Sequence, residues 1–287
     1  MARVGVVLAG GFAKGAYHIG VLKAFKNHFS NNEIICISSS SIGGLNGYAY
    51  IVDKLDDLEK SWLNLEFKNT RTFVRKYLKS AYFESIINNF TDSELTSQTN
   101  LYINCLNCSK RQMEYINLQN ISKDERKKYL RASIALPMFT PAVKINNQKY
   151  IDGGIIDIIP VKPLLKYQLD YIFVIHFDNN NFIFESKEFD NKVIKLQFLD
   201  DKFFSSFAFD KESVRKMIEM GYNETDKLFK NIFKDGKDNL EKIYEEIKIH
   251  NELKDNRQLR LSVDIGIGMI NKTLSKIFKK TNEDKNE

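Results

Sequence analysis

Ser41 is followed two residues later by Gly43, and Ser39-Ser40-Ser41-Ile42-Gly43 stands between a run that reads as a strand and one that reads as a helix. This is the layout of a nucleophile elbow, G-x-S-x-G, with Ser39 in place of its first glycine. Such a turn lifts a serine hydroxyl out of a sheet at a helix N-terminus, where the dipole favours an attacking oxyanion. Of the four consecutive serines 38–41, only Ser41 has glycine at +2. The same residues would also make a serine-capped helix start with small residues for close packing.

A serine nucleophile needs a base. His18, His28, His176 and His250 are scattered, and each is most simply a structural histidine. Asp152 instead ends a strand-like run, and Gly153 and Gly154 after it permit a tight turn. Apolar neighbours Ile151, Ile155 and Ile156 should raise its pKa toward a value useful for general-base work. His176 keeps a second arrangement open, the triad Ser41, Asp152, His176 in the chain order of α/β-hydrolases. A third cluster, Gly10-Gly11-Phe12-Ala13-Lys14-Gly15, offers backbone N–H groups to a phosphate or an oxyanion. It lacks the Lys-Ser/Thr of a P-loop, and serines 38–41 stand where a dinucleotide site would need an acidic residue.

These residues need a scaffold that brings distant segments together. Residues 4–8 read as a buried parallel strand, and Ala16, Ile19, Leu22, Phe25 and Phe29 give the following helix one apolar face. Residues 34–37 form a second strand, completing a βαβ unit, and helices follow Ser41 and carry Leu55, Leu58, Trp62 and Leu65. Residues 68–100 have blurred periodicity and read as a covering segment with interleaved basic and aromatic residues. Strands are predicted at 101–105, 113–116, 143–145, 150–151, 171–177 and 193–198, and a capping box at Ser122 and Glu125 starts a helix that runs toward Ile134. From about Asp210 the pattern is helical. The expectation is an α/β fold, three-layer α/β/α with a mainly parallel sheet, in which residues 1–200 are the catalytic domain and 201–287 a helical extension packed on it.

Composition narrows the function. The 287 residues include 43 basic and 37 acidic ones, a net charge of +6 that falls short of a nucleic-acid binder's basic stripe. No nucleic-acid partner is expected. Three cysteines (Cys36, Cys105, Cys108) argue against a disulfide framework and for a reducing compartment, and Cys105-x-x-Cys108 has no second ligand pair, so no metal or other cofactor is expected. With no signal-like start and no apolar run near membrane-spanning length, the expected location is cytoplasmic, peripheral at a membrane at most. Met269, Ile270, Leu274, Ile277 and Phe278 opposite Lys272, Lys276 and Lys279 suit a helix at a lipid surface or one packed on its own domain, and the basic-aromatic segment from Arg71 to Phe83 is a second candidate contact.

Taken in order, residues 8–22, Ser41-Ile42-Gly43-Gly44-Leu45-Asn46-Gly47, Ala132-Ser133-Ile134-Ala135-Leu136-Pro137 and Asp152-Gly153-Gly154 resemble the motifs of the patatin-like phospholipase family. The resemblance spans residues 4–161, and the helix at Gly221-Tyr222 is similar to the family's C-terminal helix. It implies a metal-independent serine hydrolase of lipid acyl esters, with Ser41 as nucleophile, Asp152 as proton acceptor and an oxyanion hole at Gly10, Gly11 and Phe12. Lys14, Gly15, Ser39, Gly43, Gly153 and Gly154 would support the motifs. The implied substrate is a phospholipid or lysophospholipid, cleaved through an acyl-enzyme. Phe12 stands where the family usually has a third glycine, Ser39 where the elbow has its first, and Ile158 where a polar residue is common. A lipid- or protein-binding module with weak turnover is the non-enzymatic alternative.

Overall fold

Val4–Leu8 (β1) is buried along its whole length because both its faces are covered, as expected of a central parallel strand. The computed structural model describes residues 1–66, 76, 81–137, 139–177, 181–184, 191–198, 210–252 and 258–261. β1 pairs in parallel with β2 (Ile34–Ser39) and β7 (Tyr171–His176), and β7 with β9 (Val193–Gln197). On the other side β2 runs parallel to β3 (Asn100–Asn107). β4 (Gln112–Asn117) and β6 (Gln148–Asp152) are antiparallel to β3, and β5 (Val143–Ile145) forms a hairpin with β6. Asn146 and Asn147 both take positive φ in its two-residue turn.

The register on β3 brings distant residues together. β4 occupies residues 102–107 along one edge. The other edge is divided, with β2 pairing residues 100–103 and β6 pairing residues 105–107 from the opposite direction. Ser39 therefore lies opposite Ile103 and Asp152 opposite Cys105. Two strands whose ends are more than a hundred positions apart in sequence meet end to end, with Asn104 at the junction.

Helices α1 (Gly15–His28), α2 (Ile42–Ile51), α3 (Leu55–Leu63), α4 (Tyr82–Asp92), α5 (Lys123–Ser133), α6 (Lys211–Ile232) and α7 (Leu240–Glu252) share one apolar core with Val6 and Leu8 of β1. The opposite face, with Val7, Ala9, Ile172 and Val174, is covered by Ile159, Val161, Leu164 and Leu169 around a short 3-10 helix, Lys162–Lys166. The expected α/β architecture is thus present, with the second helical layer thin among the described residues. α5 begins in the predicted capping box, Ser122 and Glu125 each bonding the other's backbone N–H. Three elements go beyond the sequence reading: α4 lies inside the covering segment of blurred periodicity, and β8 (Asn181–Phe184) pairs in parallel with β10 (Gln258–Leu261), so the C-terminal part is not wholly helical. The apolar stripe 269–278 and residues 71–75 and 77–80 lie outside the described residues.

α6 holds the sheet from the far side of α1. A Cβ at Gly20 would lie 1.9 Å from the Ile218 carbonyl oxygen, and one at Gly221 2.3 Å from that of Tyr17, so the two backbones touch only because both residues lack side chains. Nearby, Phe25 and Phe229 meet edge-on at 5.0 Å and both reach Phe173 of β7. Gly221→Leu should therefore force α6 off α1 and lower stability by about 3 kcal/mol or more, read as a lower denaturation midpoint.

Candidate active site

β2 ends in Ser39, and the chain turns through Ser40 and Ser41 into α2. Ser41 sits in a left-handed conformation, φ 54° and ψ −129°, at the N-cap of α2. For a residue with a Cβ such geometry costs about 1–3 kcal/mol. Its side chain makes no cap hydrogen bond, which rules out the simple helix-cap reading. The turn is possible because α2 crosses the end of β1 at Gly43, where a Cβ would stand 2.5 Å from the Leu8 carbonyl oxygen. Ser39, in place of the elbow's first glycine, keeps a negative φ, and its buried hydroxyl donates to the Tyr102 carbonyl at 2.9 Å. No glycine is needed there.

Asp152 ends β6 and is 1% exposed. Its carboxylate accepts the Gly154 N–H at 2.8 Å, and its own N–H donates to the Ala135 carbonyl at 3.0 Å. Burial raises its pKa to about 7, against the opposing effects of hydrogen bonds from the Ser41 side chain and the Gly154 backbone. Ser41 and Asp152 flank Gly154, where a Cβ would lie 3.1 Å from Asp152 Oδ1 and 3.6 Å from the Ser41 Cβ. A triad would place an imidazole between them, yet His176 is not among the groups acting on the carboxylate and lies at the end of β7, across β1 from β2.

The glycine loop closes the site. Cβ atoms built at Gly10 and Gly154 would lie 3.3 and 3.6 Å from the Ser41 Cβ, so Ser41 sits between the two loops. The expectation for Gly10 as an oxyanion donor needs correction, because its N–H is given to the Ile158 carbonyl at 3.0 Å, tying the glycine loop to the segment after Asp152. Gly11, whose N–H has no acceptor among the described residues, and Phe12 are left as the loop's candidate donors. Phe12 has φ 53°, which explains why glycine suits that position. Lys14 anchors the loop, its ammonium donating to the Phe177 carbonyl at 3.1 Å. Gly15 packs against Ile42 and Trp62, and Gly153 against Asn104 and Met113.

Several residues around the site escaped the sequence reading. Asn104, at the junction of β2 and β6, donates to the Asp157 carbonyl. Asp157 is a second carboxylate with a pKa raised by burial, and it accepts the Tyr115 hydroxyl at 2.7 Å. The spacing Asp152-Gly-Gly-Ile-Ile-Asp157 was the visible signal. Asn46, on the buried face of α2, stood in a motif without an assigned role.

A serine on a strained strand-to-helix turn at the end of a mainly parallel sheet is the layout of serine hydrolases built on α/β folds. The model of the family "Patatin-like phospholipase" matches residues 6–165, more than half of the chain, and the chain belongs to that family. The "Lysophospholipase nte1" proteins of Aspergillus terreus and Aspergillus fumigatus are 28% and 27% identical over 184 residues. Each comparison covers 60% of this chain and 12% of the relative, so the chain spans about an eighth of the length of these curated relatives. Among solved structures, VipD from Legionella pneumophila is similar with a TM-score of 0.46 and 11% identity, over 99% of this chain and 77% of that one.

The raised Asp152 pKa has a consequence for stability. Because the folded value, about 7, exceeds the ordinary 3.8, the contribution of the neutral buried carboxyl is full below about pH 4 and lost as pH rises through 7. Asp152→Asn, neutral at every pH, should melt increasingly above wild type between pH 5 and pH 8. Parallel thermal melts across that range check it; curves that stay a constant distance apart would contradict it.

Proposed function

We propose that this protein hydrolyses a carboxylic ester of a phospholipid or lysophospholipid through a Ser41–Asp152 dyad. The observation that carries this reading is a serine freed from helix capping that lies, across Gly154, beside a buried carboxylate poised near neutral pKa. In the proposed cycle ionised Asp152 takes the Ser41 Oγ proton as Oγ attacks the ester carbonyl carbon, and the N–H groups of Gly11 and Phe12 hold the oxyanion. Collapse breaks the ester C–O bond, and Asp152 returns the proton to the leaving alcohol. Water then attacks the acyl-Ser41, giving its proton to Asp152. The second collapse releases the fatty acid as Asp152 re-protonates Oγ.

The names of the fungal relatives favour a lysophospholipid, and family membership favours a lipid ester in general. No helix among the described residues is long and apolar enough to cross a membrane. Ile158, 44% exposed beside the glycine loop, supports peripheral contact with a lipid surface at the mouth of the site. We take residues 1–200 as the catalytic unit.

A lysophospholipid hydrolysis assay tests this reading. Ser41→Ala and Asp152→Asn should each lower kcat/KM by about 1,000-fold or more. Since only ionised Asp152 accepts the proton, kcat/KM should rise with pH through a midpoint near 7. His176→Ala should retain activity within about tenfold, whereas a collapse like that of Ser41→Ala would restore the triad. Failure of a fluorophosphonate to label Ser41 would favour a binding module.

A further inference from the structure

The hydrogen bonds of Asn46 connect the helix that carries Ser41 to the loop that would bind the oxyanion. Asn46 lies on α2 and is fully buried. Its Oδ1 accepts the Trp62 indole N–H at 3.2 Å. Because an indole nitrogen only donates, this contact fixes which end of the amide is which. Nδ2 then donates to the Gly15 carbonyl at 2.8 Å and faces His18 Nδ1 at 3.4 Å. Gly15 is the residue at which the glycine loop passes into α1.

His18 extends the connection. Burial lowers its pKa to about 3, so the ring is neutral and Nδ1 can accept the second Asn46 N–H, with the ring proton on Nε2. The ring stands 5.1 Å from that of Phe177. Phe177 in turn packs on Gly11, where a Cβ would come 2.2 Å from its ring, and its carbonyl receives Lys14. One amide therefore reaches the far end of the loop directly and Gly11 through two rings in tilted contact. Packing alone does not call for an amide here, since burying one costs free energy unless each polar atom is paired, and an apolar residue would fill the space.

We infer that Asn46 is a positioning residue that holds the Gly11 and Phe12 N–H groups in register with the Ser41 hydroxyl, an inference that rests on the hydrolase reading above. Oxyanion stabilisation depends steeply on donor placement, and a misplacement of about 1 Å costs on the order of 100-fold in rate. Asn46 touches neither substrate nor reacting atoms and acts through the backbone of the loop.

The test uses 4-nitrophenyl butyrate and its thionoester, in which sulfur replaces the carbonyl oxygen. Sulfur is larger and a weaker hydrogen-bond acceptor, so the ester-to-thionoester rate ratio reports how well the N–H groups engage the oxyanion. Asn46→Ala should lower kcat roughly 10- to 100-fold with KM within about twofold, and should shrink that ratio. Trp62→Phe removes the indole N–H that orients the amide together with the part of the ring packed on Gly15; it should act in the same direction by about three- to tenfold, with little further effect on the ester-to-thionoester ratio in the Asn46→Ala background. This variant keeps the inference open to refutation if Asn46→Ala does not fold. An unchanged kcat in either folded variant, or a lowered kcat with an unchanged ratio, would overturn it. Ser41→Ala run alongside separates the two levels: retained activity there sinks the hydrolase reading and this inference together, whereas lost activity there with wild-type behaviour of Asn46→Ala sinks the inference alone.

Discussion

The site depends on how one edge of β3 is shared. β2 rises along it as far as Ile103, and β6 descends to Cys105. Neither strand can extend further without displacing the other, so both chains must leave the sheet at the same place, one into α2 and one into the turn at Gly153. The proximity of Ser41 and Asp152, 111 positions apart, is thus set by main-chain pairing before any side chain is considered. Side chains only complete it. This suits a reaction that needs a proton moved over one hydrogen bond, because sheet registers shift by whole residues and not by fractions of an ångström.

Burial and backbone strain are concentrated at that junction. Asp152 is held where its charge is disfavoured, and Ser41 and Phe12 are both held at φ values that side chains avoid. The surroundings bear this because they are over-determined: Leu8 oxygen against Gly43, Ile158 oxygen on Gly10, Phe177 oxygen on Lys14 and the Asn46 amide on Gly15. Most of these restraints end on main-chain atoms. A rigid frame with a high-energy centre is what preorganised electrostatic catalysis requires.

Much of this was legible in the sequence because scarce glycines mark close approaches. Ser41, Asp152 and the βαβ unit followed from turn residues and apolar spacing, and Ser122 with Glu125 announced α5. What stayed hidden has physical reasons. Phe83, Ile86, Ile87 and Phe90 keep a helical spacing in α4, but the basic and aromatic residues before them blur any longer window. β8 and β10 are four residues each and stabilise one another across the chain, and pairing of that range leaves little local signal. The loss of Gly10 as a donor could not be foreseen, because its acceptor is a carbonyl, and every residue has one. Asn46 looked like one polar residue in a motif until its partners were known.

The Gly10–Ile158 bond, being between main-chain groups, is indifferent to what side chain stands at position 158. That side chain can therefore be exchanged without loosening the glycine loop. The scaffold separates two kinds of heredity at a single residue: the backbone oxygen preserves the shape of the site, and the side chain is free to adapt to whatever the surface of the molecule meets.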